Sequence, residues 1–137
     1  MMDIKEVNLF DIPKIPDERG NLSFIERGTN LKFDIQRVYW IYDVPGGEIR
    51  GGHAFKEQEE VIIALSGSFD VVLHDGVASS RFHLNRSYKG IYIPEMYWCH
   101  MENFSTNAVC LILSSTLYSK EDYIYDFETF INLVQTQ

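Results

Sequence analysis

The sequence predicts an all-β chain closed into a barrel or sandwich, with one α-helix at its C-terminus. Three observations carry that expectation. Short runs rich in Val, Ile, Tyr, Phe and Trp recur from Val7 to Ser115, each long enough for a strand. Turn formers (Gly, Pro, Asn, Asp) separate them at close spacing. A helical rhythm appears after Asp126, where Phe127, Phe130, Ile131 and Val134 fall at i, i+3, i+4 and i+7. Many short strands joined by hairpin turns are the pattern of a sandwich or barrel.

Taken in order, Val7 to Phe10 reads as an entry strand, followed by the Pro-containing stretch Ile12 to Pro16. Asp17-Glu18-Arg19-Gly20 is a turn, and Asn21 to Glu26 a second strand. Asp34 to Tyr42 is a central strand, ended by Val44-Pro45-Gly46-Gly47. Arg50 to Phe55, Glu60 to Ser66 and Ser68 to His74 follow, the last two joined at Ser66-Gly67. Ser80 to Leu84, Gly90 to Ile93, Trp98 to Phe104 and Ala108 to Ser115 complete the β region. The helix has Asp126 as its cap and packs its aromatic stripe onto the barrel.

A chain of 137 residues fits one domain, residues 1 to 137, with no linker or repeat. Its apolar runs, such as Val109 to Leu113, are too short to span a bilayer, and the N-terminus lacks the layout of a signal peptide. Cys99 and Cys110 lie inside strands and form no spaced framework, so reduced thiols in the cytoplasm are expected. A net charge of −8 argues against a nucleic-acid surface, although a few local Arg residues suffice to hold a phosphorylated small molecule.

Chemistry concentrates in two segments. Gly47, His53, Glu60 and Gly67 match the first cupin motif in spacing, with Phe55 at its second His position. Pro94 and Asn103 match the second motif, with Cys99 where a His would stand. The chain therefore resembles the cupin superfamily, which implies a double-stranded β-helix, or jelly-roll barrel. Phe55 cannot ligate, so no metal or other cofactor is expected.

At finer detail the chain resembles the nucleotide-sugar 3,4-ketoisomerases, the WxcM-like branch of the cupins. The carriers include Asp17 to Leu22, Arg37-Val38-Tyr39, Arg50 to Ala54, Ser66 to Leu73, Leu84 to Ser87, Gly90 to Pro94, Asn103 to Ser105 and Asp122-Tyr123. The resemblance implies a cytoplasmic, metal-independent homodimer acting on dTDP-4-oxo-6-deoxyglucose. His53 is then the expected proton-transfer base, with Tyr39 as a second catalytic group. Arg37, Arg50, Phe55, Glu60, Cys99, Arg19 and Asn21 are the expected substrate-binding residues. Arg37 and Tyr39 share one face of their strand, whereas Arg50 has the opposite parity to His53 and is expected to hold a loop or a phosphate. Glu60 is a candidate anionic partner for Arg37. His74, His83 and His100 read as turn or surface histidines, and Arg81 and Arg86 as solvated charges. A dTDP-sugar epimerase and a non-catalytic nucleotide-sugar-binding cupin are the competing readings.

Overall fold

A computed structural model describes residues 6–136. In chain order these form β1 (Asn8–Asp11), β2 (Lys14–Asp17), β3 (Gly20–Ser23), β4 (Arg37–Ile41), β5 (Arg50–Phe55) and β6 (Glu60–Ser66). Then come β7 (Phe69–His74), β8 (Ser79–Leu84), β9 (Lys89–Ile93), β10 (Trp98–Glu102) and β11 (Val109–Ser114). A 3-10 turn at Lys120–Asp122 leads into β12 (Tyr123–Ile124) and α1 (Phe127–Gln135). One sheet has the order β1-β9-β6-β11-β4, the other β12-β5-β10-β7-β8, and β2-β3 is a separate hairpin. This is the jelly-roll barrel with one C-terminal helix that the sequence predicts.

Period-two alternation builds the core. From the first sheet Ile62, Ala64, Ile91, Ile93, Cys110 and Ile112 point inward. From the second, Phe69, Val71, Leu73, Leu84, Cys99 and Met101 meet them. Strand β6 is buried on both faces, because Val61 and Ile63 pack outward under Ile12, Leu31 and Phe33. Its run Val-Ile-Ile-Ala is the continuous apolar signature that such a position demands.

The expected central strand over Asp34 to Tyr42 is β4, an edge strand limited to Arg37–Ile41, and three further elements differ from the sequence reading. Lys14–Asp17 is a strand despite Pro16, which sits opposite Asn21 in a hairpin whose every residue is exposed. Pro is tolerated there because the strand needs no further neighbour. Strand β3 stops at Ser23, short of Glu26. The chain turns at that point, with the Glu26 amide donating to Asn30 Oδ1 at 2.9 Å. The other difference is β12, a two-residue strand that pairs with β5. Helix α1 matches expectation: Asp126 accepts from the Thr129 amide at 3.0 Å, and fully buried Phe130 packs over Ala54 and Ile124. Among the described residues, no helix is long and apolar enough to cross a membrane.

Candidate active site

The site is assembled where β4, the start of β6, the end of β5 and the C-terminal segment 118–125 converge. Strand β5 sets the first side chains. Cys99 of β10 lies directly opposite His53, and Met101 opposite Arg50. Since Cys99 and Met101 both enter the core, His53 and Arg50 lie on the same inner face. The pairing shifts between Cys99 and His100, leaving Gly52 as the extra residue of a β-bulge. Gly51 and Gly52 adopt φ of 90° and 85°, the left-handed region open to glycine. The parity argument for Arg50 is thereby corrected: the bulge reverses the alternation and turns Arg50 inward at the exposed rim. Its charge acts on the Cys110 thiol of the opposite sheet.

His53 sits among rings. Its centroid is 4.9 Å from Phe55, 5.1 Å from Tyr123 and 6.2 Å from Tyr125. Tyr123 is opposite Phe55 in the β12–β5 pair and also stacks on Tyr125, which forms an aromatic wall. Burial among these rings lowers the His53 pKa, so the imidazole is neutral and able to accept a proton near pH 7.

The facing wall is a polar network centred on Gln58, which is 1% exposed. Gln58 Oε1 accepts from Arg37 Nη2 at 2.7 Å and from Thr116 Oγ1 at 3.2 Å. Its Nε2 donates to Glu60 Oε2 at 2.8 Å and to the Tyr39 hydroxyl oxygen at 3.3 Å. The expected Arg37–Glu60 pair is therefore corrected, because Gln58 stands between the two. Arg37 lies over the Tyr39 ring at 4.8 Å and the Tyr118 ring at 5.5 Å. Its Nε is shut off from solvent and has no hydrogen-bond acceptor in the protein.

The network shapes its own electrostatics. Burial pushes the Glu60 carboxyl up to about 7, against the opposing pull of Gln58, Arg37 and Tyr39. Burial, then the charge of Glu60, raises the Tyr39 hydroxyl. Burial likewise raises the Cys99 thiol, which stays protonated. Asp122 fixes the loop carrying Gln58. Its carboxylate accepts from the amides of Glu57 at 2.7 Å and Gln58 at 3.2 Å, and its carbonyl from Lys56 at 2.9 Å.

The remaining expected residues lie elsewhere. Arg19 and Asn21 are on the exposed β2–β3 hairpin, and Arg19 is bonded to Asp17 at 3.0 Å. His100 is on the outer face with Glu102, and His83 bonds Asp70 at 2.7 Å. Arg81 bridges Asp70 and Glu102, Arg86 bonds the Asn85 carbonyl, and His74 accepts from the Gly76 amide in its turn. Sequence reasoning missed Gln58 and the ring pair Tyr123 and Tyr125. The two tyrosines carry a period-two signal, but Gln58 sits among charged residues that read as a solvated loop.

Many cupins hold a metal at the motif positions, and the residues present here do not fit one. Phe55 has no donor atom, burial keeps Cys99 a thiol, and Gln58 and Tyr39 already engage Glu60. Among the described residues, no three His, Cys, Asp or Glu side chains converge on a common point.

Comparison with known proteins gives a consistent result. Residues 5–135 match the family model FdtA, described as WxcM-like, C-terminal. The TDP-4-oxo-6-deoxy-alpha-D-glucose-3,4-oxoisomerase of Aneurinibacillus thermoaerophilus is 38% identical over 125 residues, 91% of this chain and 90% of that protein. A 3,4-ketoisomerase from Helicobacter canadensis superposes with a TM-score of 0.92 at 36% identity, over 95% of this chain and 98% of that one. A histidine-to-asparagine mutant of the 3,4-ketoisomerase QdtA from Thermoanaerobacterium thermosaccharolyticum, in complex with TDP-4-keto-6-deoxyglucose, gives 0.94 at 31% identity, covering 98% of both. Matched along almost its whole length in both sequence and fold, the chain belongs to the FdtA family of WxcM-like proteins.

Proposed function

We propose that this chain is a nucleotide-sugar 3,4-ketoisomerase, converting dTDP-4-oxo-6-deoxyglucose to its 3-oxo isomer for deoxyamino-sugar biosynthesis. The observation that carries the reading is His53. It is a neutral imidazole on the inner wall of the barrel, at the first motif position, in a chain of this family. The relatives named above bear this activity at 31% to 38% identity over nearly the whole chain.

The chemistry asks for little else. The C3 hydrogen is acidic because it lies α to the C4 ketone, and His53 removes it to give an enediol. Returning a proton to C4 while the C3 hydroxyl becomes the ketone completes the shift. Oxidation at C3 balances reduction at C4, so electrons stay within the sugar and no external redox partner enters. Arg37, held by Gln58, and Arg50 at the rim supply the positive charge to stabilise the developing oxyanion or the phosphates. Tyr123 and Tyr125 supply flat apolar surface for the sugar or the base. Phe55 and Cys99 line the same pocket and shape the product face. The reading places the enzyme in the cytoplasm, as a homodimer.

Proton NMR in D₂O tests the reaction. With dTDP-4-oxo-6-deoxyglucose the expected result is deuterium exchange and signal shifts at C3 and C4. Exchange at C3 and C5 would identify an epimerase, and no exchange with retained binding a sensor. Either result removes the isomerase reading.

A further inference from the structure

We infer that Glu60 and Tyr39 form one proton relay that carries the oxygen-bound proton between O3 and O4, while His53 carries the carbon-bound one. This rests on the ketoisomerase reading and deepens it. A 3,4-shift moves two protons, one from C3 to C4 and one from O3 to O4. His53 is the imidazole at the first motif position, and Phe55, beside it at 4.9 Å, replaces the second with a ring that transfers no proton.

The geometry supplies the substitute. Gln58 uses Oε1 as acceptor for Arg37 and Thr116, so its amide orientation is fixed and Nε2 must face Glu60 and Tyr39. The Tyr39 oxygen receives the Gln58 proton, which leaves its own hydroxyl hydrogen for the Glu60 carboxyl, the two groups being held side by side by the one Gln58 amide nitrogen. Glu60 is 5% exposed, so its protons travel through Tyr39. Tyr39 is half-buried and stands beside Arg37, whose guanidinium lies 4.8 Å from the centre of its ring. The groups facing Glu60 are Arg37, Tyr39, Gln58, Cys99 and Cys110, with Arg50 and Tyr123 one contact further. Both cysteines are held as thiols by burial, so neither competes as the proton carrier. A carboxyl pushed up to about 7 exchanges protons readily at neutral pH.

The steps balance. As His53 takes the C3 proton, Tyr39 gives its hydroxyl proton to O4 and is refilled from the Glu60 carboxylic acid. The O3–H bond of the enediol then breaks, its proton passing to Tyr39 and on to Glu60, while the His53 imidazolium protonates C4. Glu60 begins and ends protonated.

The experiment compares wild type, Glu60→Gln, Tyr39→Phe and the double variant on dTDP-4-oxo-6-deoxyglucose, with folding checked by thermal melting. For Glu60→Gln the expected result is a fall in kcat of about 100-fold, with KM within about threefold. C3 hydrogen should wash out into D₂O faster than product forms, because His53 still opens the enediol. Wild-type kcat should fall as pH rises through about 7, where the buried acid deprotonates, and both single variants should lose that limb. The double variant should be no slower than the slower single variant. A Glu60→Gln enzyme within about threefold of wild type, or losses that multiply in the double variant, would overturn the relay. Should Glu60→Gln not fold, Tyr39→Phe decides alone: retention of the limb near neutral pH refutes the inference. An inactive wild type would instead refute the isomerase assignment itself.

Discussion

A single imidazole sets most of the chemistry, and its surroundings decide its charge. Burial among Phe55, Tyr123 and Tyr125 disfavours the imidazolium, so His53 titrates below its ordinary value of about 6.5. A depressed histidine is stabilising above the unfolded pKa and loses that contribution as pH falls through the folded one. Protein stability therefore has a component that declines below about pH 6.5, and kcat/KM has its acid limb below that pH as well. Substituting His53→Asn keeps a polar side chain of similar bulk. We expect the variant to fold and to bind dTDP with unchanged affinity by calorimetry, while kcat drops by about 10²- to 10⁴-fold. Unchanged turnover would remove His53 as the base. That this residue is a candidate was legible from motif spacing alone. The identity of its neighbours was not, because Tyr123, in a strand of two residues, and Tyr125 just beyond it arrive from about seventy residues downstream.

At the scale of elements, the bulge in β5 carries the site geometry. Strict alternation predicts Arg50 outward, and one additional residue, Gly52, reverses it. A sequence displays Gly51-Gly52 but not which of them goes unpaired, and this is why the parity argument failed. A Cβ at Gly51 would lie 3.0 Å from the Cys99 carbonyl oxygen and 3.1 Å from the His100 Cα, in a backbone conformation that side chains resist. Gly51→Ala should cost about 1–3 kcal/mol in urea unfolding. It should also raise KM, since Arg50 would no longer share a face with His53. An alanine variant with wild-type stability and KM would show that the bulge is dispensable. The strands β5 to β11 were readable within a residue or two because their hydrophobic alternation is clean, whereas β2, with Pro16 and full exposure, gave no such signal.

For the whole molecule, the hairpin is the informative feature. Strands β2 and β3 pair with neither sheet, and they hold Ile15 and Leu22 at 54% and 57% exposure. Apolar side chains on a projecting ribbon are the mark of a surface that a second copy covers. This ribbon carries Arg19 and Asn21, and in the homodimer proposed above we propose that it delivers them to the neighbouring pocket. Mixing Arg19→Ala with His53→Asn tests this directly, since a heterodimer then contains one intact site. Recovered turnover from two inactive proteins is the expected outcome, and a mixture no better than its components would count against shared sites.

The aromatic wall has a consequence for biosynthesis of the protein itself. Tyr123, Tyr125 and the carboxylate that pins the Gln58 loop all come from the short segment just before α1, after the two sheets have nine of their ten strands. Until that stretch has been made, nine of the ten sheet strands exist, yet His53 lacks two of the rings that bury it. The site is thus completed after the sheets that carry it.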